Sequence, residues 1–221
     1  MRSGRRVVKG DRSPADRLTL DPAAAAAALS HHPVFGPMVR FAGPPELPQP
    51  RLGHFPLLMR SIVFQQLAGK AAATIHGRVL EAIGGEATPE AVLAAPDDAL
   101  RAAGLSKNKL AAVRDLAARA ADGALGLDGI ARASDREVIE RLVQVRGVGV
   151  WTAQMFLMFQ LRRADVWPTG DLGVRQGWAR LHGEPEPRTP KELELLGHGF
   201  RPWRTAVAWY CYRAVDAGIP G

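Results

Sequence analysis

An all-α fold is what the sequence predicts, and three observations carry that prediction. Alternating apolar–polar runs are almost absent, so a half-buried strand has little to build on. From Phe55 to Ile83 apolar residues return at close to four-residue spacing (Leu58, Ile62, Leu67, Ala71, Ile75, Val79), which marks one face of a helix. Capping residues punctuate the rest of the chain, with short polar side chains that accept from the orphan N–H groups of a helix start.

In chain order, residues 1–17 are polar and basic and read as a flexible arm. "LDPAAAAAALSHH" then opens a helix, with Asp21 at N-cap and Pro22 in the first helical position. "FAGPPELPQPRLG" holds too many prolines for a helix or a central strand and is an ordered connection. The helical stretch Phe55–Ile83 follows, and after it come short helices opened by Thr88-Pro89-Glu90 and Pro96-Asp97, the second closed by Gly104. "ASDREVIERLVQV" is amphipathic, with Ser134 and Glu137 forming a capping box. After the break "RRADVWPTGD" a helix should run from Leu172 to about Leu181. A proline-rich loop leads to a last helix from Trp203 to about Ala217.

Composition narrows the function. At 221 residues and 47% apolar content the chain can build a real core. Its net charge of +7 favours a polyanionic partner, nucleic acid first and an anionic membrane surface second. Arg2, Arg5, Arg6 and Lys9 supply part of that excess from the arm. The single cysteine, Cys211, excludes a disulfide framework and a four-cysteine iron–sulfur cluster, and its apolar setting reads as packing. The six histidines form no pair at helical metal-binding spacing, so no zinc site is expected. With no membrane-length apolar run and no apolar segment after the N-terminal arginines, the expected location is cytoplasmic.

"VRGVGVWTAQMFLMF", Val145 to Phe159, places two glycines between an amphipathic helix and an apolar one. N–H groups around Gly147 and Gly149, backed by a helix dipole, could cradle a phosphate without reading sequence. A tight turn between antiparallel helices uses the same glycines, so this stretch alone leaves both readings open.

Four pieces in order carry a resemblance: "LLMRSIVFQQLAGKAA", "GLSKNKLAAVRDLA", "LVQVRGVGVWTAQMFLMF" with "VWPTGDLGVRQ" behind it, and "FRPWRTAVAWYCYRA". From about Leu18 onward the chain resembles the helix-hairpin-helix DNA glycosylases, most of all the 3-methyladenine DNA glycosylase II (AlkA-like) branch in a short form without the N-terminal β domain. The resemblance implies a two-lobed helical fold over residues 18–221, with a lobe of about 61–160 inserted between the N- and C-terminal helices and a cleft between the lobes. It implies Asp171 as the catalytic carboxylate, although "PTGDLGV" by itself reads as a helix N-cap. Trp151 stands where bifunctional members carry a Schiff-base lysine, which implies base removal without strand cleavage.

By the same resemblance Trp151, Tyr212 and Gln65 would form the base pocket, and Gln66 with Leu67 would plug the gap left by a flipped nucleotide. Gly147, Gly149, Thr152 and Lys107 would hold DNA phosphate, with Lys70, Lys109 and Arg114 as further cationic contacts. The backbone carbonyls of Val143, Val145 and Val148 would hold a structural Na⁺ or K⁺, and no other cofactor is required. The implied partner is double-stranded DNA carrying alkylated purines, met by a monomer at the nucleoid rather than at a membrane. Three other readings stay open: a non-catalytic helix-hairpin-helix DNA-binding module, a glycosylase for oxidised or mismatched bases, and an unrelated helical scaffold that binds protein partners. The cysteine count excludes iron–sulfur members of the second.

Overall fold

The computed structural model describes residues 17–216. The expected basic arm lies outside them except for Arg17, as does Ala217. The described chain is helical throughout, with an isolated bridge between Thr19 and Arg163 as its strand-like pairing. Its α-helices are α1 (Pro22–Leu29), α2 (Phe35–Ala42), α3 (His54–Phe64), α4 (Gly69–Ala82), α5 (Pro89–Ala94) and α6 (Asp97–Ala102). They continue with α7 (Lys107–Ala121), α8 (Asp135–Leu142), α9 (Val150–Met155), α10 (Leu172–His182), α11 (Pro190–Leu196) and α12 (Arg204–Asp216). A 3-10 turn, Leu127–Arg132, precedes α8, and α9 runs on into a π-turn over Phe156–Gln160.

Most helix starts are where the caps put them. Asp21 accepts from the N–H groups of Ala23 and Ala24, Thr88 from Ala91, and Ser106 from Lys109. The Ser134–Glu137 box closes in both directions. Each such cap is worth about 1 kcal/mol. Three features depart from expectation. The Phe55–Ile83 pattern is two helices, because Gln66 takes a left-handed backbone (φ 56°) and ends the first. The unexpected α2 has no side-chain cap at Val34. The ring Nδ1 of His32 accepts from the N–H groups of Val34 and Phe35 instead. The unexpected α11 carries a full Thr189–Glu192 box behind the proline-rich loop.

Two groups of helices result. α3 to α7 pack on one another, with α7 against α3, α5 and α6. α1, α2, α10 and α12 form the second group, centred on the α10–α12 pair. One continuous core joins them, including Leu58, Ile62, Leu116, Leu142, Leu157 and Tyr210. The α10–α12 crossing is close because Gly177 lies directly on the backbone of Cys211. A Cβ there would stand 2.0 Å from the Cys211 carbonyl oxygen. The expected break between α9 and α10 is a buried, clamped segment. Arg204 forks onto the Asp165 carboxylate at 2.6 and 3.0 Å. The Thr205 hydroxyl donates to the Arg163 carbonyl and accepts from the Val166 N–H. Arg163 in turn donates to the carbonyls of Ala131 and Ala133, which fixes the start of α8. No helix among the described residues is long and apolar enough to cross a membrane.

Gly177→Ala is expected to force α10 off α12 and cost about 1–3 kcal/mol, read as a lowered denaturant midpoint. Acid should weaken the fold as well. Burial pushes the pKa values of His32, His54 and His76 below the ordinary 6.5. At His54 the Gln160 amide lies 3.0 Å from Nδ1, where it can donate to a neutral ring. The unfolded chain then binds protons that the native chain refuses, so stability is complete above pH 6.5 and falls as pH drops toward the lowered native values. Denaturant midpoints at pH 7.5 and 5.5 should differ in that direction, and less so in His54→Gln.

Candidate active site

The glycine hairpin is held from two sides. α8 ends at Val143, the chain turns through Gln144–Val148, and Gly149 starts α9. Gly147 sits at φ 77°, a backbone that side chains rarely adopt. Asp115 of α7 accepts from the Arg146 N–H at 2.7 Å, and the Gln65 amide at the end of α3 donates to the Gly147 carbonyl at 2.9 Å. No side chain caps α9, so the N–H groups at its start lack a partner within the helix.

Asp171 is both a cap and a site residue. Its Oδ1 accepts from the Val174 N–H at 3.1 Å, which starts α10. Its Oδ2 accepts from the Trp151 indole N–H at 2.5 Å. Trp151 is 49% exposed, so the pair lies at the surface of a cleft rather than in the core. Tyr212 of α12 packs its ring against Gly173, the second residue of α10, with its hydroxyl 3.9 Å from Met155 Sδ. Burial, and then the charge of Asp171, push its phenol pKa up and keep the hydroxyl protonated.

Beside this pair a cavity of about 560 Å³ opens between α3 and α9. It is lined by Arg60, Ser61, Phe64, Gln65, Gln66, Trp151, Thr152 and Met155. That volume suits a small heterocycle. Gln65 lines it, as expected for a pocket residue, and Gln66 stands on its rim in the strained turn. Leu67 is exposed on the same turn, outside the lining. Tyr212 supports Asp171 and does not line the cavity, where the second aromatic is Phe64.

The expected phosphate contacts divide. Gly147 and Gly149 are exposed on the hairpin, and Lys107 and Lys70 are exposed at the starts of α7 and α4. Thr152 is 7% exposed, because its side chain turns inward to the cavity; only its N–H belongs to the helix start. Lys109 donates to the Val63 carbonyl at 2.7 Å and ties α7 to α3, and burial lowers its pKa. Arg114 is engaged by Asp97 and by the carbonyls of Val92 and Ala95. Both are therefore structural cations. The three valine carbonyls fit an alkali cation in type, being neutral oxygens without a carboxylate. Val145 accepts from the Val148 N–H at 3.0 Å and keeps a second lone pair. No His/Cys/Asp/Glu cluster able to hold a metal occurs among the described residues.

Sequence reasoning missed Arg60, Phe64 and Met155 as cavity walls and Asp115 as the hairpin anchor. The wall residues had a signal: Arg60 and Phe64 on α3, like Trp151 and Met155 on α9, are four residues apart and share a helix face. Asp115 had none, since its partner is a backbone N–H far along the chain. Chemically, an oriented carboxylate beside an aromatic-walled cavity can stabilise positive charge as it develops and position a water.

The chain is similar to known proteins in sequence and in fold. The family pattern described as "HhH-GPD superfamily base excision DNA repair protein" matches residues 59–202. DNA-3-methyladenine glycosylase 1 of Schizosaccharomyces pombe is 37% identical over 161 residues, 71% of this chain and 70% of that protein. The crystal structure of a DNA-3-methyladenine glycosidase from Bacillus halodurans superposes with a TM-score of 0.80 at 33% identity, covering 90% of this chain and 92% of that one. The S. pombe 3-methyladenine DNA glycosylase in complex with abasic DNA superposes at 0.76 and 30% identity, covering 90% and 100%.

Asp115→Ala should leave the Arg146 N–H without its charged acceptor. A hydrogen bond to a charged group contributes about 1.5–3 kcal/mol, so amide exchange at Arg146 should quicken about tenfold or more. Exchange in the core of α12 should stay unchanged.

Proposed function

The chain belongs to the HhH-GPD superfamily of base excision DNA repair proteins, and we propose from that footing that it is a monofunctional DNA glycosylase that removes alkylated purines. It acts as a monomer on double-stranded DNA in the cytoplasm, at the nucleoid. The observation that carries the reading is the Asp171 carboxylate, fixed by Val174 and by Trp151, a residue that also lines a cavity roomy enough for a base. A DNA-binding module needs neither that pairing nor that cavity.

In the proposed sequence the hairpin N–H groups around Gly147 and Gly149 take a backbone phosphate. Gln66, already projected by its left-handed turn, enters the stack as the target nucleotide swings out, and Leu67 follows it. The flipped base lies on the Trp151 face, where an electron-poor ring is attracted by the indole. The N-glycosidic bond then breaks with the electron pair on the base and positive charge on the sugar. Asp171 faces that charge and orients the water that adds to C1′. Purines alkylated at N3 or N7 are already cationic and leave without a strong general acid. The cavity lining holds no lysine, so no amine stands ready to form a Schiff base, and the abasic strand stays intact. The carbonyls of Val143, Val145 and Val148 would hold a structural Na⁺ or K⁺ that stiffens the hairpin and adds positive charge beside the phosphate.

Base release from duplex DNA treated with a methylating agent tests this. Wild type should free 3-methyladenine, and Asp171→Asn should lose at least about a hundredfold in rate, the scale of one preorganised electrostatic group, while still binding DNA. Equal activity in both proteins would leave Asp171 as a helix cap alone. DNA binding without release in either would return the chain to the binding-module reading.

A further inference from the structure

Among the cavity residues without a task in that scheme are Arg60 and Phe64. They lie four apart on α3, and the guanidinium carbon of Arg60 stands 3.9 Å over the centroid of the Phe64 ring. Among the described residues Arg60 makes no ion pair, so this stack is its anchor. A guanidinium held over a ring face still has N–H groups to offer an acceptor. Its charge is felt locally. His76, edge-on to Phe64, has its pKa lowered by burial first and by Arg60 second. The cavity is thus electrically uneven, with an electron-rich indole on the α9 wall and a permanent cation on the α3 wall.

We propose that Arg60 is a specificity-determining residue that sorts damaged bases by charge: it resists binding of bases that are already cationic, and it stabilises the electron pair left on neutral bases whose edge carries a hydrogen-bond acceptor. The proposal rests on the glycosylase reading above and assigns the choice between charged and neutral bases to one residue. In both classes the C1′–N bond breaks with its electron pair going to the base, and a water oxygen bonds to C1′. A cationic base departs neutral, and the surplus proton of the water goes to solvent. A neutral base departs with negative charge and takes up a proton in place of the one the water releases. The base loses one unit of charge in either case. A fixed cation beside it therefore favours the departing state of both. The classes differ in the bound ground state, which Arg60 repels for a cationic base and holds by hydrogen bonds for a neutral one.

The experiment compares wild type, Arg60→Gln and Arg60→Lys on two duplexes. One carries a single 7-methylguanine (cationic), the other a single hypoxanthine (neutral, with a carbonyl acceptor). Arg60 is exposed, and loss of its charge leaves the core packing intact. For 7-methylguanine, Arg60→Gln should lower KM and kcat together and keep kcat/KM within about twofold, the pattern of relieved ground-state repulsion. For hypoxanthine, kcat/KM should fall about tenfold, the loss of one charged contact in the transition state. Arg60→Lys, which keeps the charge, should hold the wild-type ratio between substrates within about threefold. Equal losses on both substrates in Arg60→Gln would make Arg60 a structural residue and overturn the proposal. The same follows if wild type releases 7-methylguanine but no hypoxanthine, and in both outcomes the glycosylase reading stands. Release of neither base by wild type would remove that reading and this proposal together.

Discussion

One carboxylate holds the functional end of this molecule together. Asp171 accepts from Val174 on one oxygen and from Trp151 on the other, and so joins the start of α10 to the start of α9. The two helix starts come from different parts of the fold: α9 follows the hairpin, and α10 is packed on α12 through Gly177. A charge-assisted hydrogen bond is short and directional, so the pair fixes angle as well as distance. Every group proposed to touch DNA is positioned relative to it.

Other contacts make that bond possible by removing freedom around it. The hairpin before α9 is pinned by Asp115 and Gln65 through backbone atoms, which leaves its outward N–H groups unspent. The segment before α10 is gripped by Arg204 and Thr205, whose partners are buried. Removing one member of a buried ion pair costs about 3–5 kcal/mol, so the Asp165–Arg204 contact is a stiff hinge pin rather than a surface decoration. Rigid supports on both sides let a single half-buried carboxylate stay aimed.

The cavity adds selectivity to this rigid frame. Gln65 belongs both to its lining and to the hairpin clamp, so the cavity wall is tied directly to the hairpin turn. Gln66, next in the chain, stores local backbone strain of about 1–2 kcal/mol in the turn that would enter the DNA stack. Strain at a rim residue supported by a clamp is a device for presenting a side chain outward.

Much of the helical plan was written in single residues. Asp21, Thr88 and Ser134 announced their helices because a cap is a local bond between near neighbours. The Thr189–Glu192 box of α11 is a signal of the same kind, but the surrounding prolines masked it as a loop. α2 was not legible, since an imidazole, an uncommon cap, starts it. The break at Gln66 left only a small mark, one five-residue step from Ile62 to Leu67 in an apolar series that otherwise steps by four. In the site, the glycines, Asp171 and Trp151 stood out through their order along the chain. The chain by itself thus determined the helix class, most caps and which residues could do chemistry, all of which depend on neighbours within a turn or two. Tertiary structure alone decided that the Trp151 indole meets Asp171, that Phe64 and Arg60 rather than Tyr212 wall the cavity, and that Lys109 and Arg114 are spent inside the protein. Those outcomes depend on packing between helices far apart in sequence, where shape and burial choose the partner.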